Sequence, residues 1–357
     1  MSAKRISQLR KLIHSENLDA LVVNHLDHIR YLTGFTGSAG LLVVSTRGAD
    51  FLTDSRYTEQ AGRQVKGARV TTIKSDPIVA LAGFDRLNKK NARFGFDSEH
   101  LSVAQKRRLK VALDKVLLVE AGAMLSELGW VKEASELASI EKAVAVSDTA
   151  FERILALVAP GIREMELAAE LEYQMTMLGS EKPAFETIVA SGYRSAMPHG
   201  IASRKKIQKG DFITFDFGAT VDGYVSDITR TVVVGKATAR QKKIYQLVLK
   251  SHLAGIRKVK AGVAAHAVDD ACRRIITRAG YGKNFGHGTG HGIGFYVHVG
   301  PRLGPGSTDI LKNNHVITIE PGIYIPGWGG VRIEDDVAVR RSSGRPLNRS
   351  PKKLLEL

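Results

Sequence analysis

Short apolar runs alternating with helical patterns fill the first third of the chain, and longer helical runs follow. Ile6, Leu9, Leu12 and Ile13 recur at helical spacing, which predicts an amphipathic helix to about Ser15. The stretches Ala20 to Val23, Leu41 to Ser45, Asp50 to Asp54, Arg69 to Ile73 and Lys115 to Glu120 read as strands. Strands separated by helical patterns imply an α/β layer domain. Near residues 121 to 136 the pattern passes into a long helical run, Ser135 to about Ala159, in which Leu137, Ile140, Ala143, Ala150, Ile154 and Leu157 share a face. The change of pattern sets a boundary, dividing the chain into residues 1–125 and 126–357. Helices are predicted in the second part near Glu164 to Leu178, Ala239 to Val259 and Ala265 to Ala279, interleaved with strands.

A chain of 357 residues, 43% of them hydrophobic, is long enough for two domains with separate cores. No run approaches the roughly 18 to 20 apolar residues of a membrane helix. The opening MSAKRISQLRKLIHSENLDA has no signal-peptide core, so no membrane association and a cytoplasmic location are expected. Cys272 is the only cysteine, which removes intramolecular disulfides and cysteine-based metal sites. The 52 basic and 36 acidic residues give a net charge of +16, enough to raise nucleic-acid binding. The basic residues are scattered, however, without an aromatic-interleaved stripe. A solvated surface is the expectation, and nucleic acid is not an expected partner.

The chemistry lies in acids embedded in apolar strands. GDFITFDFGATVDGYVSDITRTVVVG, residues 210 to 235, reads as two strands around an Asp-Gly turn. A loop of four residues, Thr220 to Gly223, would set Asp216 opposite Asp227, with side chains about 5 Å apart. In NHVITIEPGIYIPGWGGVRIEDDVAV, residues 314 to 339, Glu320 and Glu334 each follow an isoleucine inside a strand-like run. Four like charges in such company call for compensation, which two divalent cations would supply. In GHGTGHGIG, residues 286 to 294, five glycines in nine residues forbid a stable helix. In extended chain, His287, Thr289, His291 and Ile293 share one face, and the glycines leave the other open to close backbone approach. Oxygen ligands with one imidazole, His291, favour Mn²⁺, Co²⁺ or Fe²⁺ over a thiolate-type zinc site.

These motifs resemble those of the dinuclear metallopeptidases of the pita-bread fold, in the branch containing aminopeptidase P and prolidase. The ordered set Asp216, Asp227, His291, Glu320 and Glu334 is similar to that family's five metal ligands, in the contexts DFGATVDGYVSDITRT, GHGTGHGIG, TIEPGIY and VRIEDD. YLTGFTGSAG (31 to 40) and LTDSRYTEQA (52 to 61) resemble the amino-terminal domain of the same branch, so the likeness spans essentially the whole chain. It implies a mixed α/β fold: a small creatinase-like α/β domain, then a pita-bread catalytic domain. It also implies two divalent ions, most simply Mn²⁺ with Co²⁺, Fe²⁺ or Zn²⁺ as alternatives, that activate water for attack on the scissile carbonyl. Asp227 and Glu334 would bridge the ions, Asp216 would bind one, and His291 with Glu320 would complete the other. Glu320 would shuttle the proton to the leaving nitrogen. His199 in MPHG, His287 in GHG and His298 in YVHV would line the substrate pocket, with Arg332 nearby.

The implied activity is a metal-dependent Xaa-Pro aminopeptidase that releases the first residue from proline-containing peptides, and a homodimer. Prolidase, restricted to Xaa-Pro dipeptides, is the alternative. Methionine aminopeptidases share the ligands but are normally shorter, and creatinase lacks the full set. A non-catalytic basic binding protein on this fold would typically have lost ligands, and all five are present. One departure is Val299, where the family usually carries an acid beside His298.

Overall fold

The computed structural model describes residues 2–357, with only the backbone of Ala123. It divides into two compact units, Met1–Gly129 and Trp130–Leu357.

In the first unit the chain runs α1 (Ser2–Ser15), β1 (Ala20–Val23), α2 (Leu26–Thr33), β2 (Leu41–Ser45), β3 (Ala49–Asp54), α3 (Thr58–Gln64) and β4 (Arg69–Ile73). It continues α4 (Pro77–Ala80), β5 (Arg93–Phe96), α5 (Val103–Ala112), β6 (Leu117–Glu120) and α6 (Gly122–Leu128). The strands form one mixed sheet in the order β4-β3-β2-β1-β5-β6. β1 pairs with β5 in parallel, Val22 beside Phe96, so both strands deliver their following loops to the same edge. On α1 the buried stripe is Ile6, Leu9 and Ile13, while Leu12 is 36% exposed. Arg5 takes the buried position on that flank, donating to the Tyr31 carbonyl at 2.7 Å with its guanidinium stacked on the Tyr31 ring. The four-residue β5, RFGF, carries no alternation, and its apolar pattern is not by itself a strand signal.

The second unit runs α7 (Ala134–Leu155), α8 (Glu164–Met177), β7 (Ile188–Ser191), β8 (Phe212–Phe217), β9 (Thr220–Val221), β10 (Tyr224–Val225) and β11 (Ile228–Val233). Then come α9 (Ala239–Lys258), α10 (Ala265–Arg278), β12 (Gly290–Gly292), β13 (Val299–Leu303), β14 (Val316–Ile319), β15 (Gly322–Ile325), β16 (Gly329–Arg332), β17 (Asp335–Val339) and β18 (Gly344–Pro346). α7 ends at Leu155, earlier than its apolar repeat suggests, because Pro160 disfavours helix before it and Gly161 turns at φ 97°.

Two sheets carry the site: β11-β8-β7 and β13-β12-β14-β17-β18. On β8 the period of two sends Ile213, Phe215 and Phe217 into the core formed with Phe151 and Ile154 of α7 and Leu167 and Leu171 of α8. Thr214 and Asp216 therefore point to the opposite face. That division explains how an aspartate occurs in an otherwise apolar strand. Phe215→Ala, removing a fully buried ring beside Phe151, should cost about 3–5 kcal/mol, read as a lowered urea midpoint.

Candidate metal centre

The β8–β11 register differs from the sequence expectation. Asp222 (φ 53°) and Gly223 (φ 81°) both adopt left-handed backbone, so the loop has two residues rather than four. Asp216 consequently faces Thr229, and Asp227 lies diagonally across, just before β11. Since a shift of two residues preserves the face, both acids still project the same way.

The two glutamates are brought together by an interrupted hairpin. β14 and β17 pair up to Ile319 beside Asp335, and the ladder resumes in β15 and β16 with Gly322 beside Arg332. Between those pairs stand Glu320 and Pro321 on one strand, Ile333 and Glu334 on the other. Proline has no N–H to continue the ladder. The freed backbone groups reach other strands instead: Glu320 N–H donates to Thr289 O at 2.8 Å, and Glu334 N–H to Thr229 O at 3.1 Å. The second contact joins the two sheets at the site.

Glycines set the approach of β12. A Cβ on Gly290 would lie 2.0 Å from the Thr318 carbonyl oxygen and one on Gly292 would lie 2.1 Å from that of Gly300, so only glycine lets the backbones pass. The extended segment is confined to residues 290–292, with His287 in the loop before it. His291 Nδ1 donates to Gly292 O at 3.1 Å, which leaves Nε2 with its lone pair, 3.4 Å from Glu320 Oε1 and 3.7 Å from Asp227 Oδ2. Asp227, His291 and Glu334 each place a ligand atom within 4.8 Å of the others. Asp216 is turned to the Arg332 guanidinium, with which it forms a tight ion pair.

His298 and His199 are the exposed members. The His298 ring lies 4.3 Å from that of His291, centroid to centroid. His287 is committed elsewhere: its Nδ1 donates to Gly288 O at 2.7 Å, and its Nε2 accepts from the Tyr324 hydroxyl at 2.9 Å. Tyr324 in turn accepts from Arg332 Nη1 at 2.8 Å. An Arg332–Tyr324–His287 chain thus runs beside the acids. Sequence reading did not single out Tyr324, although it lies within the quoted TIEPGIY. It also passed over Thr229, whose hydroxyl donates to Glu334 Oε2 at 2.6 Å, and Asp269, which accepts from the Thr289 N–H and hydroxyl. Val299 begins β13 beside Gly292 and gives His298 no carboxylate partner.

Burial raises the pKa of all four site acids. It lifts Asp227 well above the carboxylate range, reinforced by the charges of Glu334 and Asp216, and does the same to Glu334, reinforced by Glu320. Burial raises Asp216 despite Arg332, and carries Glu320 to about 8. Burial also lowers His291 and His287 to about 4, so both rings are neutral at pH 7, the form that binds a cation. Buried carboxylates that repel one another, oxygen donors and one imidazole lone pair fit divalent cations well.

Together, fold and site define a metallopeptidase of the pita-bread class. The chain belongs to Metallopeptidase family M24, whose pattern matches residues 138–341, and residues 5–128 match the Creatinase/Prolidase N-terminal domain. It is 41% identical over 354 residues to the uncharacterized peptidase YqhT of Bacillus subtilis, covering 99% of this chain and 100% of that one. A solved structure of a Xaa-Pro dipeptidase from Bacillus anthracis superposes with a TM-score of 0.96 at 39% identity, covering 100% of both chains. That of an X-Pro aminopeptidase from Thermotoga maritima gives 0.91 at 35% identity, covering 98% of this chain and 100% of that one.

A carboxyl with a raised folded pKa favours the fold fully below its ordinary value, and that contribution is lost as pH rises through the raised value. For Glu320 the window runs from about 4.5 to about 8. Thermal melts of chelator-treated protein should therefore fall between about pH 5 and pH 8, with Glu320→Gln flattening the decline. Constant or rising melting temperatures would contradict this electrostatic picture.

Proposed function

We propose that this chain hydrolyses the peptide bond preceding proline, releasing the amino-terminal residue from Xaa-Pro-containing peptides. The convergence of Asp227, His291 and Glu334, with Glu320 and Asp216 beside them, carries the reading. Asp216, Asp227, His291, Glu320 and Glu334 would hold two divalent cations, which would lower the pKa of water enough to make it a nucleophile toward a carbonyl at neutral pH. Carboxylates make up four of the five donors, which favours Mn²⁺.

The chain's own groups do the rest. Glu320 moves the proton from the attacking water to the leaving proline nitrogen. Its side chain is 17% exposed, against 11% for Asp216 and 7% for Asp227, so it is the acid best placed to meet substrate. His199 and His298, the exposed imidazoles, orient the peptide and stabilise charge on the carbonyl oxygen. Tyr324 and His287 act as positioning residues that hold Arg332 on Asp216. The nitrogen of proline carries no hydrogen for the usual amide recognition, so a proline substrate calls for a shaped pocket in its place.

The dipeptide-restricted reading is supported by the higher identity to the Xaa-Pro dipeptidase from Bacillus anthracis, and the aminopeptidase reading by the likeness to the X-Pro aminopeptidase from Thermotoga maritima. With Mn²⁺, the protein should release Xaa from Xaa-Pro-Yaa-Zaa, and chelation should abolish turnover. Faster cleavage of Xaa-Pro than of the longer peptide selects the dipeptidase, and failure on both removes the proposal. Tyr324→Phe should lower kcat about 10- to 100-fold with little change in KM, because one hydrogen bond to a buried charge is lost. An unchanged kcat would show that the Arg332 chain has no part in the reaction.

A further inference from the structure

Outside the carboxylate centre, the first unit carries a second gathering of ligand-type side chains. The loops leaving the parallel strands β1 and β5 meet at one sheet edge, where open α/β sheets characteristically bind ligands. The first loop brings His25, at the N-cap of α2, and His28, one helical turn later. The second brings Asp97, directly after β5, and His100, which lies in a turn closed by the Leu101 N–H donating to Asp97 O at 2.9 Å.

Asp97 is fully buried and His28 is 5% exposed. His28 Nδ1 lies 2.9 Å from Asp97 Oδ2, and His100 Nδ1 lies 3.1 Å from each oxygen of the same carboxylate. The ligand atoms of His28, Asp97 and His100 all fall within 4.8 Å of one another, the same closeness as in the Asp227, His291 and Glu334 set. Bonds of about 2.0 to 2.1 Å around a tetrahedral zinc put neighbouring ligand atoms about 3.3 Å apart, close to the separations here. His25 adds a third imidazole, its ring centroid 4.0 Å from that of His100 and 5.4 Å from that of His28.

We propose that His28, Asp97 and His100, with His25 alongside, form a binding site for a divalent transition metal in the amino-terminal unit. The donors are imidazole nitrogens with a single carboxylate, so the site selects Zn²⁺, Co²⁺ or Ni²⁺ over Mn²⁺ and Mg²⁺. His28 and His100 turn Nδ1 toward Asp97, so with a cation bound there each would carry its proton on Nε2. A bound ion ties the start of α2 to the segment after β5, clipping two loops that lie 69 positions apart between His28 and Asp97. The site does not depend on the peptidase reading, since none of its residues belongs to the carboxylate centre.

The test uses the full chain with Asp227→Asn and Glu334→Gln, which weakens metal capture at the other centre, and Zn²⁺ alone as the probe. Equilibrium dialysis should find about one Zn²⁺ per chain, and Zn²⁺ should raise the melting temperature. Adding His100→Gln, at the partly exposed member, should abolish both effects while the far-ultraviolet circular dichroism stays unchanged. If that variant does not fold, Asp97→Asn, which keeps the side-chain shape, takes its place. Absence of bound Zn²⁺ in the first variant, or its full retention after His100→Gln or Asp97→Asn, overturns the proposal and leaves the cluster as a hydrogen-bonded histidine–aspartate knot.

Discussion

Mutual repulsion among carboxylates drawn out of water is the constraint around which the second unit is organised. Burial raises the pKa values of Asp216, Asp227, Glu320 and Glu334, and at Asp227, Glu320 and Glu334 the charge of neighbouring acids adds to it. A fold that places such groups together gives up stability locally and needs a counter-charge to recover it. Arg332 offsets part of the field through its ion pair with Asp216. The residual negative potential is what makes the site a receptor for cations.

The scaffold meets this constraint by keeping the acids at discontinuities of regular structure. Asp227 precedes β11, and Glu320 and Glu334 sit where Pro321 breaks a hairpin ladder. At such breaks backbone donors are released to other strands, and the two sheets become joined through Glu334 and Thr229. Hydroxyls add short neutral contacts that hold a carboxylate without cancelling its charge, as Thr229 does for Glu334. Glycines at 290 and 292 let β12 pass so close to its neighbours that His291 Nε2 reaches the acids. Phe215 and its companions anchor the other face of β8, so orientation of Asp216 follows from burial of its neighbours.

Much of this was legible along the chain. Acids inside apolar strands, a glycine at every second place around His291, and the order of the five ligand-type residues all survive in one dimension because each is a local departure from the pattern around it. The short β5 was not legible, as RFGF has too few positions for any periodicity. Nor was Tyr324, whose hydroxyl meets Arg332 and His287 only in the folded chain. The β8–β11 register turned on the backbone of Asp222 and Gly223, where a shift of two residues preserves the apolar alternation and so leaves no trace in it.

The sequence by itself determined the two-part organisation, the α/β character of the first part and the identity of the acids and imidazole that gather in the second. These follow from composition and period, which act through near neighbours. The tertiary structure alone decided which groups touch. It turned Asp216 toward Arg332, bound His287 to Tyr324, and brought His28 to Asp97 across 69 positions. Such contacts depend on strand order and parallel pairing, which bring distant segments to a common edge by burying apolar faces that carry no record of their eventual partners.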